Sequence, residues 1–357
     1  MRIAFVVNDI QTELFDYTTT HLARTALNRG HDVHYVNVGD FALNLDNHTY
    51  AHVATPASMH HRSSKVFLKD LQENSTTEFI CVDELDVMMI RNDPSLDAIS
   101  RPWARMAAIN FGRFAVQHGV LVLNDPDGLD RAFTKIYLKM LPDWVYPRTL
   151  ITRDKQDIKS FIKKENGFGI LKPLFGSGGR GVFVVQPHDE PNLNQMIEAV
   201  ARDGYVIAQE FLPEGVKGDT RLFVMNGEPL RVKGHIAAIH RQRAEGDLDI
   251  RSNMSAGAIA VKATVTDHMI ALVDAVRPFL IRNGIFFAGM DIVGNKLLEI
   301  NVLSPGGLDN ADKLEGVNFV AGVIDAIENK LNYLEKHRIN SDNSDLATRQ
   351  EPSGGRR

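Results

Sequence analysis

The chain has 357 residues, 44% hydrophobic and 24% charged, which is the composition of an ordinary folded protein long enough for roughly two to three domains. Its 40 Lys+Arg against 45 Asp+Glu give a net charge of −5, which excludes a general nucleic-acid binder but leaves room for a local basic pocket. A single cysteine, Cys81, excludes an internal disulfide and a four-cysteine zinc site, and no apolar run is long enough for a membrane span.

The opening MRIAFVVNDI lacks a signal-peptide cleavage site, so a cytoplasmic protein with no membrane partner is expected. Residues 2–7 form a continuous apolar run, as in a strand buried on both faces. A helical pattern follows over 17–29, closed by Gly30. Strands are expected at 32–38, 86–90 and 120–124, with a helix at 102–118. Cys81, inside the apolar run FICV, reads as a buried structural thiol. Strand–helix–strand order at this spacing indicates a parallel sheet with crossover helices, an α/β domain over 1–125. Residues 45–80 are polar and rich in His, Ser and Thr, and read as a long loop or excursion.

After Lys135 the strands come in pairs joined by short turns: 169–173 with 181–185, then 205–212. The segments 221–225 and 228–234 flank Asn226-Gly227, a strong hairpin signal, and 286–293 and 297–302 flank Gly294-Asn295-Lys296. Helices at 154–164, 191–202, 267–283 and 317–335 would cover one face. This second domain, 126–337, is therefore α+β with antiparallel sheets, divided into a part at about 140–212 and a central and C-terminal part at about 213–337. From residue 338 to 357 apolar groups are few, and a disordered tail is expected.

The glycine-rich string GSGGRG (176–181) fits G-x-G-x-x-G, but the following GVFVV is a strand and not a helix, which rejects a dinucleotide fingerprint. A glycine turn between two strands can instead fold over phosphates with its backbone N–H groups. Lys172 stands four residues earlier, inside the apolar strand GILKP, either as an edge lysine or as a cation held for a buried anion. In the second hairpin, Glu299 and Asn301 share one face of their strand. A two-residue turn would oppose Asp291 to Leu298, whereas a three-residue connection over 294–296 opposes it to Glu299 and gathers three oxygen donors suited to Mg²⁺. Arg91, Arg221 and Arg251 lie at strand ends or glycine-rich turns, where bidentate contact to carboxylate or phosphate is available. The basic run HRQR (240–243) reads as a mobile, solvated loop.

Eight segments in order — RGHDVHYVNVGD, DVMMIRNDP, NDPDGLDRAFTK, ILKPLFGSGG, AQEFLP, GDTRLFVMNGEP, IRSNMSAG and GMDIVGNKLLEINVLSP — resemble bacterial glutathione synthetases of the ATP-grasp superfamily, over residues 2–332. The resemblance implies a pre-ATP-grasp domain followed by an ATP-grasp domain with a glycine-rich lid. It implies that Lys135 and Lys172 hold the ATP phosphates, that Gly176, Ser177, Gly178 and Gly179 belong to the lid, that Gln209, Glu210, Phe211 and Leu212 pass along the adenine, and that Asp219 lies near the nucleotide. Arg221, Arg251 and Asn253 would act catalytically on the γ-phosphate and acyl phosphate; Asp291, Glu299 and Asn301 would bind two Mg²⁺ ions, with Mn²⁺ as a substitute. Arg91, Ser304, Gly306 and Gly307 would contact substrate. The implied reaction joins L-γ-glutamyl-L-cysteine to glycine with ATP, in a homo-oligomer, commonly a tetramer. Leu303 stands where a Thr is usual, 234–249 is longer than in the family, and Ala237-Ala238 does not supply an expected Arg. These regions would line the acceptor pocket, so the alternative is an ATP-grasp ligase joining a different carboxylate and amine.

Overall fold

The run RIAFVV forms β1 (Arg2–Val7), sealed from solvent on both faces from Ile3 to Val7. The computed structural model describes residues 1–98, 100–176, 178–202, 204–243, 258–337 and 342–350. After β1 come β2 (Asp32–Asn37), β3 (Phe41–Leu43), β4 (Thr49–Thr55), β5 (Thr76–Cys81), β6 (Val87–Ile90) and β7 (Leu121–Leu123). Helices α1 (Thr18–Asn28), α2 (Ser64–Glu73), α3 (Pro94–Asp97), α4 (Ala107–Gln117) and α5 (Pro126–Arg131) are threaded between or after them. The sheet runs β3-β4-β2-β1-β6-β7, with β5 paired to β4. The pairings of β1, β2, β6 and β7 are parallel, as expected of apolar strands linked by crossover helices.

The excursion at 45–80 is not a long loop. It holds β4, α2 and β5, which extend the sheet by antiparallel pairing. Only Thr49, Ala51 and Val53 of β4 turn inward, and β5 is largely exposed, so small and polar residues leave a faint period-two signal.

The next unit is a small antiparallel sheet of β8 (Thr149–Thr152), β9 (Gly169–Pro173), β10 (Phe183–Val185) and β11 (Val206–Gln209), in the order β10-β9-β11-β8. Helices α6 (Lys155–Lys164) and α7 (Leu193–Ala201) cover it through a separate core that includes Ile158, Leu171, Ile197 and Val206.

The central sheet contains β12 (Gly218–Met225), β13 (Glu228–Pro229), β16 (Ala238–Gln242), β17 (Ile259–Lys262), β18 (Phe287–Val293) and β19 (Lys296–Asn301), while β14 (Arg231–Val232) and β15 (His235–Ile236) form a separate pair. Its main order is β17-β16-β12-β18-β19. Helices α8 (Asp267–Arg282), α9 (Leu308–Glu315), α10 (Phe319–His337) and α11 (Asn343–Thr348) pack around it. Asn226 and Gly227 both have positive φ, 53° and 74°, as the two-residue hairpin turn between β12 and β13 requires.

Asn124 ties the N-terminal and central sheets together: its amide donates to Phe287 O and Val302 O and accepts from Phe287 N. Arg29 at the end of α1 reaches Asp325 (2.7 Å) and Glu328 (3.1 Å) on α10. The two halves also share buried apolar clusters.

The disordered tail expected from residue 338 does not describe residues 342–350. There α11 docks on β7, burying Leu346 and Ala347, while Asn343 accepts from Val122 N and donates to Val122 O and Asp125 Oδ2. Two buried apolar residues and one buried amide are too little composition to mark a helix in advance. The expected tail residues 338–341 and 351–357 lie outside the described residues.

Candidate active site

A cleft opens between the small sheet and the central sheet, lined by Lys135, Lys172, Gln209, Asp219, Asp291 and Glu299, with Gly176, Gly178 and Gly179 at one wall. Its floor is the β18–β19 hairpin. Val293 pairs with Lys296 and Ile292 with Leu297, so the turn is the two-residue Gly294-Asn295. A bulge then absorbs Leu298, and Asp291 comes to face Glu299. The expected pairing is present, but the expected three-residue connection is not. The extra residue sits within the strand.

Asn301, two residues beyond Glu299, turns to the same face and donates from Nδ2 to Asp291 Oδ2 at 3.0 Å. Two carboxylates and an amide thus share one patch of cleft wall. Hard oxygen donors of this kind fit Mg²⁺ bound jointly with phosphate. The carboxylates are balanced by cations. Arg221 grips Asp291 with two bonds of 2.8 Å, and Lys135 Nζ lies 3.3 Å from Glu299 Oε1.

Sequence reasoning missed Arg241. The run HRQR, read as a mobile loop, instead begins within β16, and Asp219 on β12 is the direct cross-strand partner of Arg241. The Arg241 guanidinium binds Asp219 through two nitrogens and lies 2.8 Å from Asp291 Oδ2. Its side chain is 4% exposed, between Asp219 at 3% and Asp291 at 8%. In the folded strand Ile239 and Arg241 are buried and His240 and Gln242 are more exposed, an alternation that the residue types AIHRQ do not display. An arginine on the inward face demands an acidic partner.

Gly218 makes this pairing possible. Its φ is +114°, and a Cβ there would come within 2.0 Å of Arg241 O, so only glycine lets β12 start so close to β16. Burial alone would raise the Asp291 carboxyl, but Arg221 and Arg241 outweigh it and hold the group well below the ordinary carboxylate range. Burial likewise disfavours charge on Arg241, and Asp291 and Asp219 more than restore it.

Lys172 has a different setting. It is buried on β9, donates to the amide oxygen of Gln209 (2.9 Å), and is pulled by burial down to about 8; Glu299 opposes that shift and Lys135 adds to it. Lys135, in the short 3₁₀ turn Lys135–Met140, also donates to Gly176 O at 2.6 Å. Gly176, Gly178, Gly179 and Gly181 all have positive φ (132°, 65°, 71° and 69°), a backbone course that side-chain-bearing residues rarely take.

Gln209, Glu210, Phe211 and Leu212 run along one edge of the cleft. The Glu210 carboxylate pairs outward with Arg148 at 2.8 Å, and Phe211 stacks on Phe168 with centroids 6.2 Å apart.

Arg91 lies at the end of β6, 5% exposed, with burial drawing it down to about 10. It donates to Thr19 Oγ1, Leu303 O and Pro305 O, while Arg221 donates to Gly306 O. The 303–306 turn therefore joins the C-terminal end of β6 to the Asp291 network. Gly306 and Gly307 are partly exposed in this turn, and Ser304 is exposed with its side chain. Glu13, also missed from sequence, is raised to about 7 by burial, with Arg91 opposing that shift. Ser177, Arg251 and Asn253 lie outside the described residues.

Among the described residues no helix is long and apolar enough to cross a membrane. The family model for the N-terminal domain of prokaryotic glutathione synthetase matches residues 1–130, and that for the ATP-grasp domain of the same enzymes matches 134–316. The glutathione synthetase of Gloeobacter violaceus is 33% identical over 330 residues, covering 91% of this chain and 96% of the relative. That of Vibrio vulnificus is 31% identical over 313 residues, covering 86% and 90%. Among solved structures, the D-cycloserine synthetase DcsG superposes with a TM-score of 0.60 at 15% identity, covering 91% of this chain and 99% of that one. The ATP-grasp ligase PsnB, complexed with minimal precursor, Mg and ADP, gives 0.56 at 16% identity, covering 92% and 98%. At those identities the likeness shows the fold: an ATP-grasp architecture with its curved mixed and antiparallel sheets. With both family models matching in order and full-length relatives above 30% identity, the chain belongs to the prokaryotic glutathione synthetase family.

Proposed function

We infer that the protein is an ATP-dependent carboxylate–amine ligase acting as a glutathione synthetase, which joins L-γ-glutamyl-L-cysteine to glycine and releases ADP and phosphate. The observation that carries this reading is the cleft that gathers two lysines, a glycine loop, and the Asp291, Glu299 and Asn301 donors in a chain of this family.

Lys135 and Lys172 bind the nucleotide phosphates, and the backbone of 209–212 receives the adenine. The 176–181 loop closes over the phosphates as a lid and excludes water. Asp291, Glu299 and Asn301 would hold two Mg²⁺ ions, with Mn²⁺ as a substitute. When bound, these ions supply positive charge to the transferring phosphoryl group. The dipeptide's glycyl-accepting carboxylate attacks the γ-phosphorus, ADP departs, and an acyl phosphate forms. The glycine amine, arriving as the free base, then attacks the acyl carbon and displaces phosphate. Arg221 orients Asp291 and the 303–306 turn, and Arg251 and Asn253 stabilise charge on the phosphoryl and acyl phosphate groups.

Arg91 and Glu13 offer a cation and an anion beside the C-terminal end of β6. That pairing suits the zwitterionic glutamyl end of the dipeptide, with Ser304, Gly306 and Gly307 alongside. No side-chain nucleophile is needed, which agrees with a site made of Lys, Arg, Asp, Glu, Asn and Gly. A cytoplasmic location and assembly into a homotetramer complete the reading; light scattering of the purified chain tests the latter.

The deciding experiment measures ADP release with MgATP, γ-glutamylcysteine and glycine, each omitted in turn. Release that requires all three, with glutathione among the products, is the expected result. ADP release that instead requires a different acid or amine would replace the substrates and keep the ligase.

A further inference from the structure

At the opposite end of the N-terminal sheet from Arg91, three side chains from separate elements converge. His48 lies in the turn between β3 and β4, Asp83 in the short 3₁₀ turn Val82–Glu84 before β6, and His118 at the C-cap of α4 before β7. His48 Nδ1 is 3.0 Å from Asp83 Oδ2, and His118 Nε2 is 3.6 Å from the same oxygen. The imidazole centroids are 4.8 Å apart, and one donor atom from each residue falls within 4.8 Å of the other two. Two protonated imidazoles this close would repel, whereas two neutral ones present lone pairs.

A second observation concerns the same carboxylate. The Asp83 side chain is only 5% exposed, yet its Oδ1 is buried with no hydrogen-bond partner. An unsatisfied buried carboxylate oxygen is costly unless something of positive charge meets it. Oδ2 is anchored by Thr49 N at 3.0 Å, the kind of outer contact that fixes a ligand carboxylate. The histidines are partly open, 46% and 31% exposed, so an ion has a route in.

We propose that His48, Asp83 and His118 form a binding site for a transition-metal dication, Zn²⁺ first, separate from the Mg²⁺ donors of the cleft. Imidazole and carboxylate donors bind Zn²⁺ at about 2.0–2.2 Å, which places neighbouring donors about 3–3.5 Å apart in a tetrahedral shell. The two imidazole nitrogens lie 3.0 and 3.6 Å from Asp83 Oδ2, close to that spacing. Two nitrogen donors disfavour Mg²⁺ and Ca²⁺. The site takes three protein ligands and leaves a fourth position to solvent. Lying at the N-terminal ends of β6 and β7, it would staple the β3–β4 turn to α4 and take no part in ligation.

The test is Zn²⁺ titration of the tag-free, chelator-treated chain by calorimetry, in excess Mg²⁺ so that the cleft donors are occupied. One equivalent should bind, and affinity should fall at least about tenfold in both His48→Gln and His118→Gln. Both residues are partly exposed, and unchanged ATP-dependent ligase turnover in each variant confirms that it is folded. Asp83→Asn, which can still accept from Thr49, should lose binding as well. Absence of saturable Zn²⁺ uptake by the parent chain, or uptake that both histidine variants retain, would overturn the site.

Discussion

The two walls of the cleft handle charge in opposite ways. On the central sheet, Asp219, Arg221, Arg241 and Asp291 form a network of two cations and two anions in which each buried charge meets an opposite one at hydrogen-bond distance. On the small sheet, buried Lys172 has only the amide of Gln209 as a hydrogen-bond partner among the described residues, and burial depresses its affinity for a proton. A buried cation with a neutral partner is stabilised fully only when an anion arrives. The central wall is thus pre-assembled, and under the proposed function the nucleotide phosphates would complete the small-sheet wall.

The difference can be broken most severely at the hairpin. Glu299→Gln should leave the fold intact but lower Mg²⁺-dependent turnover by about 10³-fold or more, as expected when several kcal/mol of charge stabilisation are lost. Steady-state kinetics beside a circular-dichroism melt checks both halves of that expectation. Arg241→Ala leaves Asp219 and Asp291 buried without their shared cation and should cost about 3–5 kcal/mol of stability, read from urea unfolding.

Lys172→Met should act in the other direction on the ligand-free chain. Removing a buried, poorly paired cation should raise the melting temperature while weakening ATP binding severely. The wild-type chain carries a matching pH signature. Because the folded pKa of Lys172 is lowered to about 8 from the ordinary 10.5, the folded state holds fewer protons than the unfolded one between those values. Its contribution therefore makes ligand-free stability rise with pH across that window, and Lys172→Met should flatten the rise. ATP binding in the same window should take up a proton, visible as a buffer-dependent heat.

The smallest effect lies away from the cleft. Truncation after His337 removes α11 and its cover over β7, and should cost about 1–3 kcal/mol, from lost burial of Leu346 and the lost Asn343 bonds. The same truncation removes Arg349, whose carbonyl accepts from Lys330 and whose guanidinium sits 3.6 Å over Tyr333. Turnover per folded molecule should be unchanged, which separates this region from both walls.

Much of the site was legible because its residues announce themselves locally. Lys172 interrupts an apolar strand, the glycine loop follows at once, and Asp291, Glu299 and Asn301 stand out in a hairpin of apolar residues. The hairpin partners were correct for the wrong geometric reason, since residue counts fix which positions oppose each other only when no bulge intervenes. Arg241 was not legible. A basic run is solvated unless acids on neighbouring strands bury it, and both of its partners are distant in sequence.

The sequence by itself determined the class of fold, the order of its parts and most of the polar residues that line the cleft. Apolar periodicity, glycine placement and isolated polar residues in strands are local properties, and the family motifs are contiguous. Tertiary structure alone decided where the bulge falls, that HRQR carries a buried ion-pair centre, that 342–350 closes the N-terminal sheet, and that His48, Asp83 and His118 meet. Each of these depends on long-range pairing. The free energy of a buried charge or a docked helix is set by what packs against it, and that partner lies far along the chain.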